Sequence, residues 1–157
     1  MGKSAETPYR ARQIARYVID RCYKDQKPIS NLQLQKMLYF LQIVFARVSG
    51  DLLFPDQFEA WPYGPVIRDI YIEFSNYGGA PIRVAFNGSG AQIVPVHREF
   101  INEGIALLRE KSPWELVRIS HAKGSPWDEV YNVRNEHKGI IPNELILAAA
   151  TGPHHGR

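Results

Sequence analysis

Apolar residues recur at helical spacing over most of this chain. Ala11, Ile14, Ala15, Val18, Ile19 and Cys22 mark a first helix, with Thr7 as its cap, Pro8 in its first position and an end near Asp25. Ser30 opens a second helix, because Ser30 and Gln33 form a Ser-x-x-Gln capping box. Leu34, Met37, Leu38, Leu41, Val44, Phe45 and Val48 give that helix a buried stripe, and Gly50 stops it. This is the strongest helical signal in the chain, which makes it the expected central element. A loop over 51–58 follows. Gly64 and Pro65 start a third helix with Val66, Ile67, Ile70, Tyr71 and Phe74 on one side, ended by Gly78 and Gly79. Ile82, Val84 and Phe86 then alternate with Arg83 and Ala85. Asn87-Gly88-Ser89-Gly90 separates them from Ile93, Val94 and Val96. An Asn-Gly between two β-prone runs predicts a β-hairpin over about 81–96, with Pro95 placing its second strand at an edge.

Phe100, Ile101, Ile105, Leu107 and Leu108 mark a fourth helix. Two segments then echo one another, Ser112-Pro113-Trp114-Glu115 and Ser125-Pro126-Trp127-Asp128. Serine caps, proline takes the first helical position, and the acid supports the orphan amides, so both are helix starts. A short last helix spans 142–150, and the ends, about 1–6 and 151–157, read as loose. The expected fold is mainly α (α+β). It is a compact helical domain, one unit over 1–157, packed around a central helix at about 30–49 with one small β-hairpin.

The most constrained stretch is 59–71, Glu-Ala-Trp-Pro-Tyr-Gly-Pro-Val-Ile-Arg-Asp-Ile-Tyr. Pro62 and Pro65 fix their own φ and push their predecessors toward extended geometry. Gly64, without a Cβ, lets another group come close. The result is a stiff, aromatic-lined elbow that carries no nucleophile, metal cluster or phosphate cradle. Trp61, Tyr63, Arg68, Tyr71 and Tyr77 mix rings and charge there, a composition suited to a partner surface. Trp61 and Trp127 fit a core plug and an interface ring equally well, whereas Trp114 reads as core.

Composition narrows the classes. At 157 residues, 45% apolar and 22% charged, the chain can bury a core and does not have a disordered composition. Cys22 is the single cysteine and lies on the apolar stripe of helix one, so it reads as an inert buried thiol in a reducing, cytoplasmic protein. The polar start has no signal-peptide pattern, and no apolar run reaches bilayer length. The net charge is +3, and the excess sits at the front. Lys3, Arg10, Arg12, Arg16, Arg21 and Lys24 against Glu6 and Asp20 give 6 − 2 = +4. Local pairing such as Asp20 with Lys24 accounts for this better than phosphate tracking.

Candidate chemistry is sparse. Only His154 and His155 neighbour one another among the histidines, and no zinc-ligand spacing is present. No metal or cofactor is therefore expected. Asn87-Gly88-Ser89-Gly90 lacks the Lys-Ser/Thr of a P-loop. His121 lies near a helix end, where an imidazole can tie down free carbonyls, and no Gly-x-Ser-x-Gly accompanies it. A hydrolase would need His121, Glu59 and Asp69 to meet in one pocket. A nucleic-acid-binding regulator would need Gln33, Gln35, Lys36 and Gln42 on the surface side of helix two. Both readings are less favoured than a binding protein without catalysis.

The run Ser30-Asn31-Leu32-Gln33-Leu34-Gln35-Lys36-Met37-Leu38-Tyr39-Phe40, the elbow from Phe58 to Val66, Ile70-Tyr71, Ser120-His121 and Pro126-Trp127 together resemble the Panacea domain, the SocA-like antitoxin family also called phage-associated GepA-like. The resemblance runs from about Gln13 to Leu147. It implies an antitoxin of a type II toxin–antitoxin system that binds and neutralises a co-encoded protein toxin. It also implies, from some members, an adaptor that hands the toxin to an ATP-dependent protease. His121 matches the family's histidine. The expected partner-binding residues are Trp61, Tyr63, Gly64, Pro65, Arg68, Tyr71, His121 and Trp127.

Overall fold

The computed structural model describes residues 8–151. They form α1 (Ala11–Lys24), α2 (Asn31–Ser49), β1 (Phe58–Trp61), β2 (Gly64–Val66), α3 (Arg68–Glu73), α4 (Pro95–Leu108), α5 (Pro113–Ser120), α6 (Pro126–Asp128), β3 (Ile140–Ile141) and α7 (Asn143–Thr151). A 3₁₀ turn (Ser75–Tyr77) follows α3, and a π-helical stretch (Glu129–Val133) continues α6. The mainly helical reading holds. No helix among the described residues is long and apolar enough to cross a membrane.

Helix α2 is the hub, packed against α1, α4, α5, α7 and β2. Its start follows the capping box. Ser30 Oγ accepts the Gln33 N–H at 3.2 Å, and Gln33 Oε1 accepts the Ser30 N–H at 3.1 Å. Gly50 ends it in the left-handed region at φ +84. Removing the cap hydroxyl with Ser30→Ala is expected to cost about 1 kcal/mol, read as a lower urea midpoint at unchanged m. One continuous apolar core runs from Tyr9 to Ile146.

Several expectations are corrected. The hairpin at about 81–96 does not form. The Ile82 N–H donates to Ile29 O at 2.8 Å and the Phe86 N–H to Asp20 Oδ1 at 2.7 Å, so this backbone is tied to α1 and the turn after it rather than to a second strand. Pro95 is the first residue of α4 instead of an edge-strand residue, as its fixed φ and missing N–H suit a helix start. The strands lie instead in the elbow. There β1 pairs antiparallel with β2 (Trp61 opposite Gly64) and with β3 (Phe58 opposite Ile141), in the order β2-β1-β3. Gly64 and Pro65 thus belong to an edge strand, where a proline is tolerated, and the third helix begins only at Arg68.

Helix α1 begins at Ala11, capped by the Asp56 carboxylate that accepts the Ala11 N–H at 2.9 Å, so Pro8 is not its first residue. The expected Thr7 cap and the expected loose ends at 1–6 and 152–157 lie outside the described residues. Along α2, Val44 and Val48 face solvent. The basic face of α1 is neutralised as the local-pair reading requires. Lys24 meets Asp20 at 3.1 Å, and Arg12 and Arg16 both reach Glu73, at 3.0 and 3.1 Å. Cys22 is buried, and burial pushes its thiol pKa up.

Candidate functional site

The elbow is held from beneath by polar side chains of α2. Asn31, Gln35, Lys36 and Gln42 are all buried. Gln42 donates to Phe54 O at 2.8 Å and accepts from the Leu53 N–H at 2.7 Å, fixing the loop that enters β1. Gln35 Oε1 accepts the Ile67 N–H at 2.9 Å, Lys36 Nζ donates to Pro65 O at 3.0 Å, and Asn31 Nδ2 donates to Tyr71 O at 3.1 Å. Each bond satisfies a backbone group that a buried loop would otherwise leave orphaned. Lys36 is 0% exposed, and burial lowers its amine pKa to about 7.

Pro62 and Tyr63 close the hairpin between β1 and β2, and Gly64 takes the left-handed φ of +106. A Cβ at Gly64 would sit 2.7 Å from both Lys36 Cε and Ser120 Oγ. The hairpin therefore rests directly on α2 and on the end of α5. Ser120 Oγ is itself occupied, donating to Val117 O at 2.7 Å.

A column of rings supports the hairpin from the side. Trp127 lies flat on His121, with centroids 3.8 Å apart and planes at 6°. Tyr131 stacks on Trp127 at 4.7 Å and His137 on Tyr131 at 4.2 Å. Trp127 and Tyr131 are neighbours by i,i+4 spacing on one helical stretch. The Trp127 indole N–H donates to Trp61 O at 2.7 Å, locking the column to β1. His121 Nε2 is buried without a hydrogen-bond partner among the described residues. Burial, with the nearby Lys36 charge, keeps its pKa below the usual histidine value.

On the outer side, Trp61 donates its indole N–H to Glu59 Oε1 at 2.8 Å, and Arg68 approaches the other oxygen of that carboxylate at 3.9 Å. Lys138 Nζ lies 4.6 Å over the Trp61 ring, and Tyr71 packs against that ring at 5.1 Å. The Lys138 backbone N–H also donates to Ala60 O at 2.6 Å, so strand pairing places the cation. At the hairpin tip, Tyr63 meets Trp114 edge-to-face at 5.3 Å. These rings are 60% and 59% exposed.

The eight expected residues thus separate into layers. Tyr63, Arg68 and Tyr71 are exposed, Trp61 and His121 are half-buried, and Gly64, Pro65 and Trp127 lie inside. Trp127 is 4% exposed and plugs the core beneath β1. Trp114, expected in the core, is on the surface. The buried face of α5 is Leu116, Val117 and Ser120, and at 100° per residue Trp114 points roughly 110° away from its centre. That period was readable from sequence and identifies the missed residue. Glu59 and Asp69 share a cleft with Asp56, Gln57, Ile67 and Arg68, and His121 is not among its walls. Of the four polar residues on which a nucleic-acid reading relied, Gln35, Lys36 and Gln42 are each 0% exposed and Gln33 is half-buried in the capping box with Ser30.

Comparison with known proteins places this geometry. The family model for the SocA-like antitoxin, Panacea domain, matches residues 34–128. Antitoxin SocA of Caulobacter vibrioides (strain NA1000 / CB15N) is 34% identical over 140 residues, which cover 83% of this chain and 74% of that protein. The chain belongs to the SocA-like Panacea family. No solved structure matches it significantly. The matched Panacea segment contains Gln35, Lys36, the whole elbow, α5, His121 and Trp127. It ends before Lys138 and β3, which complete the Panacea elbow by covering Trp61 and pairing with β1.

Proposed function

We propose that this chain is the antitoxin of a type II toxin–antitoxin pair, and that it neutralises a co-encoded protein toxin by binding it on the elbow. The reading rests on family membership and on one structural observation, the exposed Tyr63–Trp114 pair on an elbow braced from below. Large rings held rigid and left in water lose little entropy on docking and gain much by desolvation. Trp61, Arg68, Tyr71 and Lys138 extend the surface with rings and cations, the mixture that interface cores and rims favour. Gly64, Pro65, His121 and Trp127 act on this surface by setting its shape.

The experiment is co-expression with the product of the adjacent reading frame. Growth rescue and a stoichiometric complex are expected. The double variant Tyr63→Ser/Trp114→Ala is expected to weaken the complex at least tenfold while leaving the unfolding midpoint within experimental error, since both rings are exposed. A non-toxic neighbour, or a complex indifferent to this double variant, overturns the reading. Delivery to an ATP-dependent protease is separated from simple occupancy by the toxin's half-life in cells. Adaptor action shortens it when the antitoxin is present and the protease active.

A further inference from the structure

The turn after Phe86 carries chemistry that the elbow does not use. The Ser89 N–H donates to Phe86 O at 3.0 Å, so Phe86 to Ser89 form a β-turn with Asn87 and Gly88 at its tip. Gly88 takes φ +83, the left-handed value of a type II turn's third position, whereas Asn87 keeps a negative φ. Both residues are exposed, and a Cβ on Gly88 would meet nothing within 4 Å. The turn is anchored on either side. The Phe86 N–H donates to Asp20 Oδ1 at 2.7 Å, and Arg98 Nη1 donates to Gly90 O at 2.7 Å.

An asparagine modifies itself where the next residue's main-chain nitrogen can reach its side-chain carbonyl carbon. That reaction needs an unbonded side chain, a following amide whose proton is not held by an acceptor, and little bulk on the following residue. The chain has seven asparagines. Asn31, Asn102, Asn132 and Asn143 engage their side chains in hydrogen bonds. The amides that follow Asn76 and Asn135 are held instead, the Tyr77 N–H by Phe74 O at 3.2 Å and the Glu136 N–H by Val130 O at 2.9 Å. Among the described residues, Asn87 alone combines an unbonded side chain with an unbonded following amide, and it is the one followed by glycine.

We propose that Asn87 is a self-modification site, at which the folded protein converts its own side-chain amide to a carboxylate through a cyclic imide. The Gly88 nitrogen attacks Asn87 Cγ. The N–Cγ bond forms, the Cγ–Nδ2 bond breaks, and ammonia leaves with the Gly88 amide proton. Water then opens the imide. Cleavage at Cγ gives aspartate, and cleavage at the main-chain carbonyl gives isoaspartate, with the chain rerouted through the former side chain. Nothing is oxidised or reduced, and solvent water is the co-reactant. The new carboxylate enters a cleft of about 430 Å³ that Asn87 shares with Gln13, Arg16 and Gln92, so the reaction introduces an anion beside the basic face of α1. These residues lie outside the elbow, and the proposal does not rest on the elbow reading.

The test ages the full chain at mildly alkaline pH, folded and in guanidinium chloride, and maps its peptides by mass spectrometry. Isoaspartate is read separately by methyl transfer from a protein-isoaspartate methyltransferase. In the folded chain, residue 87 is expected to react at least tenfold faster than any other asparagine. Its rate is expected to lie within about threefold of that in the unfolded chain, because the fold gives this turn no protection. Gly88→Ala is expected to slow the reaction at least tenfold, since its methyl hinders the attack. Asn87→Gln, an exposed and conservative change, is expected to reduce methyl acceptance by the folded chain to background. A folded rate more than threefold below the unfolded one, or no faster than at the other asparagines, overturns the proposal. So does a rate indifferent to Gly88→Ala, or methyl acceptance that survives Asn87→Gln.

Discussion

Replacing Gly64 with alanine is expected to lower the stability by about 4 kcal/mol, roughly a 10 °C fall in Tm for a chain of this size. Two effects add. The left-handed φ of +106 is strained for any residue with a Cβ, at about 1–2 kcal/mol. The new methyl would also sit 2.7 Å from Lys36 Cε and Ser120 Oγ. Neither neighbour can step aside freely, because Lys36 is bonded to Pro65 O and Ser120 to Val117 O inside the core. Gly88→Ala is the control. Its φ is +83 but nothing lies within 4 Å of the added carbon, so it is expected to cost only about 1 kcal/mol. Urea unfolding of the two variants at constant m measures the difference. Equal losses would show that the hairpin does not rest on α2 as described.

Lys36 is expected to make the protein more stable as the pH rises from 7 to 9. Its amine titrates near 7 when folded and near 10.5 when unfolded, because burial disfavours the ammonium. Below pH 7 both states are charged and the folded state bears the full desolvation penalty. Between about 7 and 10.5 only the unfolded chain holds the proton, so stability climbs by up to about 1.4 kcal/mol per pH unit and levels off above. From pH 7 to pH 9 the gain from this residue is about 2 kcal/mol. Lys36→Met removes the slope. At pH 7 the variant loses the bond to Pro65 O but also the buried charge, and is expected to be more stable than the parent by about 2 kcal/mol. By pH 9 that advantage is expected to be gone. A parent and a variant whose stabilities run parallel across this range would contradict the assignment.

The helices were legible wherever capping chemistry and period agreed. Ser30 with Gln33, Ser112 and Ser125 cap as their sequences specify. The hairpin was misplaced because Asn87-Gly88 encodes a turn and says nothing about what the flanking backbone bonds to. Here those partners are Ile29 O and Asp20, which are distant in sequence. The true strands are short and hidden behind two prolines, and one of them, β3, pairs across about 80 residues. The elbow is identifiable from its composition, but apart from the α5 period that turns Trp114 outward its layering is not. The identical Ser-Pro-Trp-acid starts place Trp114 in water and Trp127 in the core, since burial is decided by what each helix packs against. Gln35, Lys36 and Gln42 of α2, expected on its surface side, are buried. Asn31, Gln35 and Gln42 share one face at i, i+4, i+11, and that face lies against the main chain of the elbow and of the loop before it rather than in water.

Because α2 grips main-chain atoms at residues 53, 54, 65, 67 and 71, the contour of the outer surface does not depend on which side chains it displays. Tyr63, Arg68 and Tyr71 are free to be exchanged for other residues without loosening what lies below. On the proposed reading of the elbow, a lineage built this way can change its partner one exterior position at a time, keeping the same scaffold through each change of allegiance.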